Sequence, residues 1–240
     1  MTKIENAVWS DKEMATIQNK HRLLPSQSYF RKMYKGKDYY SDLEKFILQV
    51  QKPTILDIKT KDGLSYSCMG SDYNTLHFFQ FLIRSHGYKK VLELGTYIGV
   101  SAMYMAMAGA EVVSVEVGNE FYNIAKENIK VNGFADKIHL CNLDVLRFLE
   151  NDDGKYDLIF IDCAKESYKE ILELSLRRLA DNGMILVDDV FFQGDTLNKE
   201  AATEKGKGVR AMLDYVATLE GYDKVMLPLG NGLLMLRKKS

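Results

Sequence analysis

From about Tyr88 onward, short apolar runs alternate with longer stretches whose apolar residues recur every three or four positions. That alternation is the pattern of strands and helices in βα units, which feed a largely parallel sheet. Strands are expected at residues 89–95, 111–117, 137–142, 155–162 and 183–189. Helices are expected at 100–109, 119–133, about 145–150 and about 167–179, with Asn119 able to cap the second at its start and Gly133 able to end it. A polar stretch, 193–208, precedes one more helix at 209–221. Two last strands near 222–227 and 233–237 flank an Asn-Gly turn, which suggests a closing antiparallel hairpin. The expected fold is α/β: a doubly wound, Rossmann-like sheet, mostly parallel, with an antiparallel C-terminal pair.

The first 87 residues lack this rhythm. They show helical patterning at 11–20 and 40–51 and a possible extended piece at 55–66, and read as a helical cap belonging to the same domain as residues 88–240. Composition adds little: of 240 residues 46% are hydrophobic, enough for an ordinary core, and 32 basic residues face 33 acidic ones. So balanced a charge gives no global attraction to nucleic acid or an anionic membrane. Locally, residues 20–37 hold six Lys or Arg and no acid, interleaved with Tyr29, Phe30 and Tyr34. This stretch is either a solvated helix face or a surface for RNA or an anionic substrate. Three cysteines, Cys68, Cys141 and Cys163, without close CxxC spacing, argue against a disulfide framework or a structural zinc site. With no apolar leader and no run long enough to span a bilayer, a soluble cytoplasmic protein is expected.

Candidate chemistry lies at the strand ends. After the first expected strand, Gly95 and Gly99 let the backbone turn tightly and approach a ligand, as in a nucleotide-type pocket. A GxxxG loop alone is weak support, since a helix-packing turn has the same spacing. Glu116 ends the second strand, where a carboxylate can accept hydrogen bonds from both ribose hydroxyls of an adenosyl group, or can equally be a surface acid. Asp144 and Val145 open the next loop and would lie near the adenine.

Asp162 closes the fourth strand and Asp188 and Asp189 the fifth. In a doubly wound sheet these strands are neighbours about 5 Å apart, so the acids converge where ligands bind. Such a cluster repels itself unless a hard cation compensates it: Mg²⁺, or Mn²⁺ or Ca²⁺ in its place. The alternative is that one or two of the acids cap following helices. Lys165, three residues past Asp162, presents an amine to the same crevice, where desolvation and a nearby cation would lower its pKa and let it act as a general base. It can also be a solvent-exposed helix-start lysine. Phe191 and Phe192 could wall an aromatic substrate or belong to the core. The 193–208 segment is too polar for core and long for its connection, which suggests a lid or substrate loop.

Together, LELGTYIGVSA, the strand-two acid, YDLIFIDCAKESY and ILVDDVFFQGD resemble the cation-dependent O-methyltransferases, the family of catechol and caffeoyl-coenzyme A O-methyltransferases and their bacterial relatives. The match covers about Tyr88 to the C-terminus. It implies the class I methyltransferase fold and S-adenosylmethionine contacts at Met69, Glu93, Gly95, Thr96, Gly99, Ser101, Glu116, Asp144, Val145 and Asp162. It also implies metal ligation by Asp162, Asp188 and Asp189, catalysis by Lys165 with Asp162, and a homodimer. Position 189 is commonly Asn in that family, and its C-terminal Asp-Gly is Asn231-Gly232 here. The implied acceptor is a small molecule with a hydroxyl beside another oxygen, as in a catechol. Some bacterial relatives methylate 5-hydroxyuridine in tRNA, which the basic 20–37 stretch could hold. Rivals of another class are a nicotinamide-dependent oxidoreductase, disfavoured by the missing GxGxxG, and a non-catalytic adenosyl-binding module, which would not need the Asp162, Lys165, Asp188, Asp189 set.

Overall fold

The computed structural model describes residues 39–61 and 70–239. The helix expected at 11–20, the basic 20–37 stretch, Cys68 and Met69 lie outside the described residues. The chain divides into two compact units, Met1–Pro53 and Thr54–Ser240. In the first, helix α1 spans Tyr39–Gln51, as the sequence pattern predicts.

In the second unit a seven-stranded sheet runs in the order β3-β2-β1-β4-β5-β7-β6. The strands are β1 (Lys90–Leu94), β2 (Glu111–Val115), β3 (Ile138–Cys141), β4 (Tyr156–Ile161), β5 (Leu179–Val187), β6 (Tyr222–Leu227) and β7 (Leu233–Lys238). The first five pair in parallel, and β7 is antiparallel to both β5 and β6. Strand order reverses between β1 and β4, which opens a crevice beyond their carboxyl ends.

Alternate residues of the central strands feed two cores. Val91, Leu158, Phe160, Met184 and Leu186 meet α2 (Tyr73–His86), α3 (Val100–Met107) and α4 (Asn119–Val131) on one face. Leu92, Leu94, Ile159, Ile161, Ile185 and Val187 meet α5 (Val145–Asn151), α6 (Tyr168–Arg178) and α7 (Glu204–Thr218) on the other. A strand buried on both faces has no polar side to expose, which is why β4 and β5 read as continuous apolar runs.

The structure departs from the sequence reading at several points. Helix α2 lies in the region read as having no βα rhythm; Asp72 caps it through the amides of Asn74 and Thr75, and Gly87 ends it at φ 69°. Of the possible extended piece at 55–66, residues 55–61 are described and join no sheet. Strand β5 begins at Leu179, because the Asp-Asn-Gly that reads as a turn forms an irregularity inside the strand. A Cβ on Gly183 would lie 3.0 Å from the carbonyl oxygens of Tyr156 and Asp157, so the chain passes too close there for a side chain. Gly118, not Asn119, caps α4. Helix α7 starts at Glu204, five residues earlier than its apolar periodicity shows.

Candidate active site

A cavity of about 500 Å³ opens at the carboxyl ends of β1, β2 and β4. Its wall brings together Gly95, Thr96, Ser101, Glu116, Val145, Asp162, Lys165 and Asp189 from the residues singled out above. Gly99, Glu93, Asp144 and Asp188 are not in that wall. Gly99 instead caps α3 at φ 87°, where an added Cβ would lie 3.4 Å from Ala125 and Ile129 of α4. The Asp144 carboxylate accepts from the Arg147 amide at 3.1 Å and caps α5.

The glycine loop is shaped by its neighbours before any ligand arrives. Gly95 has φ 107°, and a Cβ there would lie 1.9 Å from the carbonyl oxygen of Asp162. Its first requirement is thus contact with the turn after β4. Next to it, Tyr97 takes φ 52°, a conformation that bulky residues rarely adopt. Glu116 holds it there: its Oε2 accepts from the Tyr97 amide at 2.9 Å and its Oε1 from the Gly118 amide at 2.8 Å. A carboxylate offers about four lone-pair sites, so two bonds leave capacity for two more.

Glu93 is fully buried and lies directly across from Ser114 on β2, whose hydroxyl donates to its Oε2. Thr96 Oγ1 bonds the same hydroxyl at 2.5 Å. Ser101 also lies beside the Glu93 carboxyl, whose Oε1 is buried without a hydrogen-bond partner. Burial, outweighing the help of Ser101 and Ser114, pushes this carboxyl up to about 8.

At the far wall, the Lys165 ammonium sits 3.2 Å from Asp162 Oδ1 and 2.7 Å from Asp189 Oδ2, and 5.6 Å from the Tyr168 ring. The sequence argument expected a lowered lysine pKa. That expectation is for a lysine beside a bound cation; with the two carboxylates alone, desolvation lowers the pKa but Asp162 and Asp189 outweigh it and hold the proton above its ordinary range. Asp188, buried behind them, accepts from the Asp189 amide at 2.8 Å, and burial beside Asp162 and Asp189 pushes its carboxyl up to about 8. Among the described residues, no group of three His, Cys, Asp or Glu side chains is placed to hold a metal ion as it stands. Lys165 occupies the point that Asp162 and Asp189 share.

In the wall, Gln193 and Lys205 belong to the segment expected as a lid or substrate loop, whereas several residues were not foreseen: Tyr97, Val117, Phe121, Cys163 and Ala164. Asn231 is a further one that does work at the site. Read as a turn residue that stands where the resembling family has Asp, it donates to Asp189 Oδ1 at 3.0 Å and accepts from the Gln193 amide at 2.8 Å. The two phenylalanines divide, Phe192 facing the cavity and Phe191 packing on the core. The polar segment expected as a lid is tied down. Asp195 accepts from the Ala202 and Thr203 amides and the Thr203 hydroxyl, and Arg210 donates to the carbonyls of Thr196 and Asn198.

The chain is similar to known proteins. A probable caffeoyl-CoA O-methyltransferase of Dictyostelium discoideum is 26% identical over 210 residues, spanning 84% of this chain and 87% of the relative. The O-methyltransferase ankF of Aspergillus thermomutatus is 31% identical over 179 residues, 67% of this chain and 75% of that protein. The SAH-bound methyltransferase PaMTH1 of Podospora anserina superposes with a TM-score of 0.68 at 21% identity, covering 97% of this chain and 98% of the other. An O-methyltransferase of Bacillus cereus in complex with SAH gives 0.64 at 22%, covering 88% and 96%. The fold is therefore that of the class I methyltransferases. Residues 43–239 match the model of a family described as O-methyltransferase, and the chain belongs to that family.

Proposed function

We propose that this enzyme transfers the methyl group of S-adenosylmethionine to a hydroxyl that has a neighbouring oxygen, on a small catechol-like molecule, and that the transfer depends on a divalent cation. The observation that carries this reading is the placement of Lys165, Asp162 and Asp189 in the wall of the cavity that the glycine loop and Glu116 also line. Two of the similar structures are described with SAH bound, the demethylated product of that donor.

Glu116, fixed by two backbone amides, has lone pairs left to accept the ribose hydroxyls. Gly95 and Thr96 line the same cavity and would face the donor. The oxygen-only set of Asp162, Asp188 and Asp189, with Asn231 orienting the last, fits the preference of a hard cation. Asp162, Asp188 and Asp189 would hold such a cation, which would supply Lewis acidity to the acceptor hydroxyl and offset the negative charge that holds the Lys165 proton. Lys165 as an ammonium accepts no proton; with its two carboxylates engaged it would give that proton to solvent, and its amine would then take the proton of the acceptor hydroxyl. In the transfer the acceptor oxygen bonds the methyl carbon, the sulfur–methyl bond breaks, and its electron pair leaves a neutral thioether. Holding the two reactants in line supplies the largest share of rate.

The test is calorimetric titration with S-adenosylmethionine, then assay of SAH release on catechol and on bulk tRNA, with Mg²⁺ and with chelator. Donor binding with Mg²⁺-dependent release on catechol is expected. Lys165→Ala should lower kcat by about 10²-fold or more and leave donor affinity nearly unchanged. Undiminished turnover in that variant would remove Lys165 from the base role, turnover in chelator would remove the cation, and release on tRNA alone would change the acceptor class. No donor binding would overturn the reading.

A further inference from the structure

Residues 54–61 cross α4 without regular secondary structure, yet their backbone is bound as closely as a strand. Asn132 accepts from the Asp57 amide at 3.0 Å and donates to the Asp57 carbonyl at 2.8 Å. Asn128 does the same at Lys59, at 2.8 and 3.0 Å. The spacing explains why this works. Four residues of helix rise about 6 Å, and two residues of extended chain about 6.6 Å, so amides at i and i+4 meet alternate residues of the segment. Leu56 and Ile58, before and between those positions, pack against the core.

Asn128 makes one bond more. Its Nδ2 also donates to the carbonyl of Ile98 at 3.0 Å, in the glycine loop that lines the cavity. The side chain is buried, and both of its amide hydrogens are committed, one to the strap and one to the loop. A second route runs parallel. Lys61 pairs with Glu120 at 2.6 Å and lies 5.9 Å from the Phe121 ring, and Phe121 packs on Tyr97 of the loop with both in the cavity wall.

We propose that Asn128 is a positioning residue that joins the donor loop to the 54–61 strap, so that donor binding tightens the strap and the strap tightens donor binding. The inference rests on the reading of the glycine loop as the donor site. Reciprocity is thermodynamic: whatever free energy the strap lends to the loop, the donor returns to the strap. Asn132 touches the strap but not the loop, so it separates the two effects.

The experiment is hydrogen exchange at the Asp57 and Lys59 amides with and without SAH, alongside calorimetric SAH affinity, for the wild type, Asn132→Ala and Asn128→Asp. In the wild type SAH should slow exchange at both amides. Asn132→Ala should speed that exchange, erase its response to SAH and weaken SAH binding about fivefold or more, with exchange at Leu92 and Ile159 unchanged. Asn128→Asp keeps the acceptor for Lys59 and loses both donors, so it should weaken SAH at least as much. SAH binding that leaves wild-type strap exchange unaltered, with unchanged affinity in Asn132→Ala, would overturn the coupling alone. Failure of the wild type to bind SAH would overturn the donor reading and the coupling with it.

Discussion

Glu93→Gln tests whether the carboxyl beneath the glycine loop is held neutral. In the folded chain it titrates at about 8, against an ordinary 4.5, and the cause is burial. Between those values the folded state keeps a proton that the unfolded state has lost. The folded state therefore binds more protons there, and stability falls as pH rises through the window. At about 1.4 kcal/mol per unit, the cost reaches on the order of 3 kcal/mol at pH 7 and on the order of 5 kcal/mol above pH 8. A glutamine has no proton to lose. It accepts from Ser114 as the carboxyl does, but places an amide where Oε1 has no partner, for a constant penalty of about 1–3 kcal/mol.

Offset and slope are thus separable. Urea unfolding of both proteins from pH 5 to 8.5 should give a difference, variant minus wild type, that starts negative or near zero and climbs with pH. Asp188 also titrates at about 8, but it is present in both proteins and cancels. A difference that stays flat across the range would show that Glu93 is ionised in the folded protein, and the account of its burial would be wrong.

Gly95→Ala drives a Cβ to 1.9 Å from the Asp162 carbonyl at φ 107°, so a loss of at least about 3 kcal/mol is expected; a melting point lowered by less than about 3 °C would refute it. Gly208→Ala sets two effects against each other, since alanine favours helix by about 1 kcal/mol while the new Cβ would lie 2.3 Å from the Lys165 carbonyl. Contact should win, lowering the melting temperature and also turnover, because the strained turn carries Lys165; a raised melting temperature would show that the turn gives way.

How legible was this in the sequence? The five parallel strands and the hairpin were, because their apolar runs are bounded by polar residues on both sides. Helix α2 had its signals, Asp72 as cap, Gly87 as stop and Leu76, Phe79, Leu82 and Ile83 on one face, but no strand beside it to make them part of a rhythm. Position 116 was legible as an acid at a strand end; that its two oxygens brace Tyr97 and Gly118 was not. Asn128 and Asn231 were hidden for a different reason. Each makes its decisive bonds to residues 30 or more positions away, and on an amphipathic helix or a turn an asparagine reads as solvated.

Backbone strain was equally invisible. Five described residues other than glycine have positive φ, and four of them, Tyr97, Asp189, Phe192 and Gln193, line the cavity. Each costs on the order of 1–3 kcal/mol, and nothing in those residue types announces it. What holds them is a short set of long-range bonds: Glu116 to the Tyr97 amide, Asn231 to the Gln193 amide, and the carbonyls of Asn231 and Gly232 to the amides of Phe191 and Val190. The hairpin that the sequence presents as a mere closing element therefore fixes the wall opposite the glycine loop. Both walls are formed by bonds within the protein, so a ligand entering between them meets strained backbone already in place and need not supply the free energy to bend it.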